Sequence, residues 1–192
     1  VAEVDPDSEM VKAVLAGEVE AFQALVERYE RRIYYVVFGM VRNPEDAREI
    51  AQEAFVKAFK NLSSFRLESK FYTWLCRIAM NLSIDHHRRM KHRSHAEYDD
   101  QRTSGADSGV IELASRRDNP SANVARIHLR ARILAAFDQL PEDQRQVVVL
   151  RELEEMSYKE IADILEIPEG TVMSRLYYAR RKLQQLLKDD AP

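Results

Sequence analysis

Between Thr171 and Lys188 the chain carries five Lys or Arg (Arg175, Arg180, Arg181, Lys182, Lys188) and no acid. Charge of that density suits phosphate. In the same stretch Val172, Leu176, Ala179, Leu183 and Leu186 fall within about 80° of arc at roughly 100° per residue, which predicts a helix with one buried stripe. Ser174, Tyr177, Tyr178 and Arg181 then point away from the core, with Met173 and Arg180 on one flank and Arg175 near the stripe's edge. Hydroxyls of that kind can bond to base edges, a Met or a ring can pack on a thymine methyl, and flanking Arg can hold phosphate. Other candidate chemistry is thinner. His86, His87, His92 and His95 lie close together, but Arg88, Arg89, Lys91 and Arg93 between them would oppose a metal cation. Glu152, Glu154 and Glu155 read as surface charge. A Gly-rich phosphate loop, a nucleophile elbow and an HExxH pair are all missing. The expectation is therefore no catalytic residue, no metal, no cofactor and no enzyme.

The basic helix needs a partner to position it. Ser157 with Glu160 three residues on is the capping-box pattern, and Ile161, Ile164 and Leu165 follow at helical spacing. Pro168 ends that helix and is well placed to begin the next. Two helices and a tight turn, the second basic, is the arrangement that sets a recognition helix in the major groove. A pair of core helices with a solvated basic face is the plainer alternative.

Upstream, Met10, Val11, Val14 and Leu15 predict a short helix that Gly17 can end. Phe22, Leu25, Val26, Tyr29, Ile33, Val36 and Met40 predict a longer one. Asn43-Pro44-Glu45-Asp46 stops it and starts another: Asn caps, Pro takes the first position, and acids complement the positive helix end. That third helix buries Ala47, Ile50, Ala51, Ala54, Phe55, Ala58, Phe59 and Leu62, beside an acidic strip of Asp46, Glu49 and Glu53. A polar turn over residues 63–70 holds Phe65, Arg66 and Lys70. A fourth helix follows, with Trp74, Leu75, Ile78, Ala79 and Leu82 as its stripe and Arg77, Asn81 and Arg88 elsewhere. Four such helices make a bundle.

Periodicity stops near Arg93. Residues 94–122 are rich in Ser, Asp, Gly and Asn, with one apolar knot at Val110, Ile111 and Leu113, so a flexible linker is expected. Helical pattern resumes with Val124, Ile127, Leu129, Ile133, Leu134 and Phe137, and Pro141 opens a helix leading to the final pair. At 192 residues, with 45% apolar and 32% charged, the chain suits two small helical domains. A net charge of −3 puts any nucleic-acid contact in local patches. Few Gly and Pro and no apolar–polar alternation argue against a sheet. No apolar run approaches the length of a membrane span, and the acidic start VAEVDPDSEM is no secretory signal. One cysteine, Cys76, rules out an internal disulfide and paired-cysteine zinc. A cytoplasmic, all-α protein without membrane insertion is expected.

Two stretches carry a family resemblance. DAREIAQEAFVKAFKNLSSFRLESKFYTWLCRIAMNLSIDHHRR (46–89) resembles region two of bacterial RNA polymerase sigma factors of the extracytoplasmic-function (ECF) group. LPEDQRQVVVLRELEEMSYKEIADILEIPEGTVMSRLYYARRKL (140–183) is similar to their region four. The resemblance implies a region-two bundle over 5–93, a linker over 94–122 threading polymerase channels, and a region-four helix-turn-helix over 123–188. It implies core RNA polymerase, promoter DNA and an anti-sigma factor as partners. Asp46, Glu49, Gln52 and Glu53 would meet the polymerase. Phe65, Arg66, Lys70, Arg77, Asn81 and Arg88 would take the minus-ten element as single strand. Thr171, Met173, Ser174, Arg175, Tyr177, Tyr178, Arg180 and Arg181 would lie on the minus-thirty-five duplex. Met173 and Tyr178 stand where some relatives carry Arg, so a bidentate Arg–guanine contact is not offered there. The competing reading is a stand-alone helix-turn-helix regulator of duplex operators, which leaves the first bundle unexplained.

Overall fold

The computed structural model describes residues 7–66, 69–96 and 120–188, and among these all regular structure is helical. The first set comprises α1 (Ser8–Leu15), α2 (Glu20–Val41), α3 (Pro44–Lys60), a 3-10 turn (Leu62–Ser64) and α4 (Phe71–Ala96). The second comprises α5 (Pro120–Asp138), α6 (Glu142–Val148), a wide π turn (Val149–Leu153), α7 (Tyr158–Leu165) and α8 (Glu169–Lys188). Of the expected linker, 94–96 and 120–122 are helical backbone. Residues 97–119, with the Val110–Ile111–Leu113 knot, lie outside the described residues.

Local chemistry explains the boundaries. Gly17 takes φ +104° after α1, a conformation costly for any side chain. Asn43 caps α3, its side chain accepting from the N–H groups of Glu45 at 2.8 Å and Asp46 at 3.2 Å, with Pro44 in the first turn. At α7 the capping box is complete: the Glu160 N–H donates to Ser157 Oγ at 3.2 Å, and the Ser157 N–H donates to the Glu160 carboxylate at 2.9 Å. Asp7 ties α1 to α2, accepting from Arg28 and Tyr29.

Most stripe positions bury as their spacing dictates, but Phe59 of α3 and Leu15 of α1, expected on buried stripes, stay 41% and 51% exposed, and Leu183 and Leu186 of α8 are half-buried near the helix's free end. Leu25, Ile33 and Val36 of α2 meet Ala47, Ala54 and Ala58 of α3 and Phe71, Leu75 and Ala79 of α4. Val147, Leu150, Ile161, Ile164, Val172 and Leu176 fill the second set. The two sets then share one contiguous core. α4 shows this most clearly. Leu75, Ala79 and Leu82 of its expected stripe are buried and Trp74 and Ile78 half-buried, yet Phe71, Tyr72, Cys76, Met80 and Ser83 are buried as well. A helix covered by α2 and α3 on one side and α7 on another needs a wider apolar arc than a surface helix. Burial pushes the Cys76 thiol up to about 12, fitting a structural cysteine. α5 is the opposite case. It packs on α8, and Arg132 donates to the Leu187 carbonyl at 3.0 Å. Its Ile127, Leu129 and Ile133 remain 56%, 51% and 42% exposed.

Candidate nucleic-acid interface

α8 is held by Val172, Leu176 and Ala179, all buried against the rest of the second set. That anchoring presents Met173, Ser174, Tyr177, Tyr178, Arg180 and Arg181 to solvent, with Thr171 and Arg175 half-buried. The Tyr177 and Tyr178 rings meet edge to face at 5.3 Å, which stiffens two side chains otherwise open to water. Ser174 Oγ donates back to the Thr171 carbonyl at 3.0 Å, leaving its oxygen lone pairs facing outward. A shallow hollow of about 610 Å³ runs between Tyr158 of α7 and Met173, Tyr177, Arg180, Arg181 and Gln184 of α8. The two flanking arginines are already paired. Arg175 Nε lies 3.3 Å from Asp143 of α6, and Arg180 makes a forked contact to Glu152 at 2.6 and 3.0 Å. Both carboxylates hold their guanidinium at the rim of the presented face.

The expected polymerase strip lies along α3. Glu49, Gln52 and Glu53 are exposed and Asp46 half-exposed. Glu53 pairs with Lys57 one turn on at 3.2 Å, and Asp46 faces His86 Nε2 of α4 at 3.3 Å. The strip is therefore a solvated acidic face with two basic neighbours.

The residues expected on the minus-ten element do not form one cluster. Phe65 does not stand exposed in its polar turn: the 3-10 turn folds it inward, onto Trp74 with ring centroids 5.1 Å apart and Phe71 at 5.9 Å. Burying a ring among rings outweighs the polar residues around it. Arg66 and Lys70 are exposed beside it. Arg77 is half-buried, its Nε enclosed without a hydrogen-bond partner. Arg88 lies further along α4, 4.0 Å from Asp85. Asn81 lines a pocket of about 290 Å³ together with Ser64, Trp74, Ile78 and Asp85. A half-buried indole, an amide and a hydroxyl around an open pocket offer a flipped base a ring to stack on and edges to bond. Trp74, which the sequence placed on the apolar stripe, lines this pocket, as does Ser64 of the 63–70 turn.

One group changes character altogether. Glu154, expected as surface charge, has a side chain only 4% exposed. It accepts from Arg32 of α2 at 2.8 and 3.1 Å and from the Tyr72 hydroxyl of α4 at 2.5 Å. The Arg32 guanidinium also lies over the Tyr72 ring at 3.9 Å. Burial first, then Cys76 and Glu154, push the Tyr72 phenol above its ordinary value, so it stays protonated and donates. Among the described residues no group of three His, Cys, Asp or Glu is placed to hold a metal, and no helix is long and apolar enough to cross a membrane.

Comparison with known proteins returns two family matches in chain order: "Sigma-70 region 2" over residues 25–93 and "Sigma-70, region 4" over residues 130–183. The chain is 34% identical over 187 residues to the RNA polymerase sigma-H factor of Pseudomonas aeruginosa, covering 96% of this chain and 95% of that protein. It is 36% identical over 181 residues to the ECF RNA polymerase sigma factor SigW of Bacillus subtilis, covering 93% and 95%. Over 194 residues it is 36% identical to the ECF RNA polymerase sigma-E factor of Escherichia coli K12, covering 95% and 96%. Among solved structures, CnrH in complex with the cytosolic domain of CnrY shares the fold at TM-score 0.68 and 24% identity, covering 96% of this chain and 99% of that one. The sigma factor RpoE bound to the anti-sigma factor NepR from Bartonella quintana shares it at TM-score 0.71 and 23% identity, covering 88% and 98%.

Proposed function

Because the chain belongs to the ECF group of sigma-70-type RNA polymerase sigma factors, we propose the following division of labour among its residues. The protein binds core RNA polymerase and directs initiation at specific promoters, with no catalytic step of its own. It acts in the cytoplasm, where its polymerase and promoters are. Asp46, Glu49, Gln52 and Glu53 on the solvated face of α3 take the polymerase contact. The Asn81–Trp74 pocket, with Lys57 in its lining, receives minus-ten bases as single strand, aided by the exposed Arg66 and Lys70, and α8 reads the minus-thirty-five duplex. The observation that carries this reading is the pairing of two exposed faces in one chain. α8 displays readers rimmed by anchored arginines, and α4 with the end of α3 displays a base-sized pocket lined by Trp74, Asn81 and Lys57.

A duplex operator alone would need only the first of those faces. An anti-sigma factor is the expected regulator. A groove of about 410 Å³ between α2 and α5, lined by Tyr35, Phe38, Ile133, Leu134, Phe137 and Leu153, offers such a protein an apolar seat. The direct test is transcription in vitro from a randomised promoter library with core polymerase, with and without this protein. Start sites that appear only with it, and share spaced upstream and minus-ten sequences, support the reading. Duplex binding unaffected by polymerase, with no new transcripts, would overturn it.

A further inference from the structure

Trp74, Ile78, Asn81, Leu82 and Asp85 recur along one face of α4, and Lys57, Asn61 and Ser64 from the end of α3 and the 3-10 turn complete the same pocket. Leu82 is buried and Trp74 and Ile78 half-buried, which gives the pocket an apolar base. Its polar groups are exposed, and most of them accept hydrogen bonds rather than give them. Ser64 Oγ spends its proton on the Asn61 carbonyl at 2.7 Å, so lone pairs are what it offers the pocket. Asn61 Nδ2 donates to the Lys57 carbonyl at 2.8 Å, which engages the amine end of that amide and leaves its oxygen to accept. The Asp85 carboxylate accepts only, and Arg88 at 4.0 Å is beyond hydrogen-bonding range of it. Lys57 Nζ is drawn to Glu53 at 3.2 Å, toward the acidic face of α3. The Asn81 amide, which both gives and accepts, completes the lining.

The four bases bring different groups to such a rim. Cytosine at N4, adenine at N6 and guanine at N2 each bring an amine, whose protons suit oxygen acceptors. Thymine brings O4 and O2, and oxygen set against oxygen leaves both sides unpaired where water is partly excluded. A thymine methyl would gain contact with Ile78 or Leu82. That gain is the weaker effect, because an apolar contact discriminates far less than a hydrogen-bonding edge left unmet.

We infer that Asp85 makes this pocket a reader of exocyclic amines: with Ser64 and Asn61 it accepts from the amine of an unstacked minus-ten base, and it refuses thymine. This role rests on the minus-ten reading above. Asp85 is not needed to hold the fold, since its side chain is 63% exposed.

The test uses the full chain bound to core polymerase and a fluorescent single strand carrying the minus-ten sequence selected from the promoter library. At each position in turn cytosine is replaced by uracil, and adenine or guanine by hypoxanthine, each of which removes the exocyclic amine. At one position that loss should weaken binding about tenfold. Asp85→Asn, whose amide donates as well as accepts, should bring the two bases there to near-equal affinity, with circular dichroism and melting temperature unchanged. Removing the Asp85 charge should also tighten every strand alike, an effect to which the ratio between the two bases is blind. A parent that ignores loss of the amine at every position, or a ratio that Asp85→Asn leaves unmoved, overturns the inference. Weakened binding by Asn81→Ala, at another exposed position of the lining, then still keeps the pocket as the seat of the base. If Asn81→Ala and Trp74→Ala both bind like the parent, the minus-ten reading has failed and the amine reader with it.

Discussion

Ser174 and Arg181 are both exposed on α8, yet they are suited to different work. A Ser hydroxyl close to the helix axis can distinguish base edges only if the helix lies deep in the groove. A long guanidinium late on the helix reaches phosphate from many registers. Changing Ser174 or Tyr178 to Ala should shift preference at particular upstream bases by about 1–3 kcal/mol per contact. Arg181→Ala should weaken all sequences alike and reduce the salt slope by about one unit. Polymerase-bound affinity for single-base promoter variants across a salt series separates the two. Arg180 is subtler, because Glu152 already holds it. Glu152→Gln should release it toward phosphate and tighten binding without changing sequence preference. Trp74→Ala, by contrast, should remove the stacking surface of the α4 pocket and blunt discrimination at the minus-ten element, at about 1–3 kcal/mol per base.

At the scale of elements, α7 depends on one carboxylate. Burial opposes ionisation of Glu160, but the Ser157 N–H and hydroxyl, with Lys70 and Thr73, outweigh it and hold the carboxyl below its ordinary value. A lowered folded value means its contribution is complete above the ordinary carboxylate range, near 4.5. It is lost as pH falls through the lower folded value. Thermal melts should therefore show the parent chain losing stability in that acid window, with Glu160→Gln flatter across it. The box, the Asn43 cap and the Gly17 stop were all legible in the sequence, since each is made by residues within a few positions. Most positions in the apolar stripes of α2, α3 and α8 were legible for the same reason, with Phe59 the exposed exception on α3. What the sequence hid was made at long range. Glu154 meets Arg32 from 122 residues away, the second buried side of α4 exists only because α7 lies on it, and Phe65 turned inward because Phe71 and Trp74 were waiting. The π turn at Val149–Leu153 was equally hidden, because it is a property of backbone spacing rather than of composition.

For the whole molecule, the closed packing of the two helical sets, where Glu154 meets Arg32 and Tyr72, should be linked to polymerase binding. If polymerase takes only the open chain, the apparent dissociation constant is the intrinsic one divided by the open fraction. A chain open one part in ten would bind about tenfold more weakly than a permanently open one. Variants that break the Glu154 contact should then bind core polymerase more tightly than the parent. Reversing charge on the α3 strip works in the other sense. Glu49→Lys with Glu53→Lys should leave circular dichroism unchanged, because both side chains are exposed. It should weaken core binding by about 1 kcal/mol if the contacts are at the rim and several if buried. Combining the two separates the mechanisms. Glu154→Gln acts on the population of the open chain and the α3 reversal on its intrinsic affinity, so their free-energy effects should add within about 0.5 kcal/mol. Fluorescence-anisotropy titration of core polymerase with the four proteins measures this. If Glu154→Gln gains nothing in the parent background, polymerase engages the closed chain and opening comes later, on the promoter. If the gain disappears only in the reversed strip, the strip and the Glu154 contact are coupled, and α3 itself senses whether region four is docked.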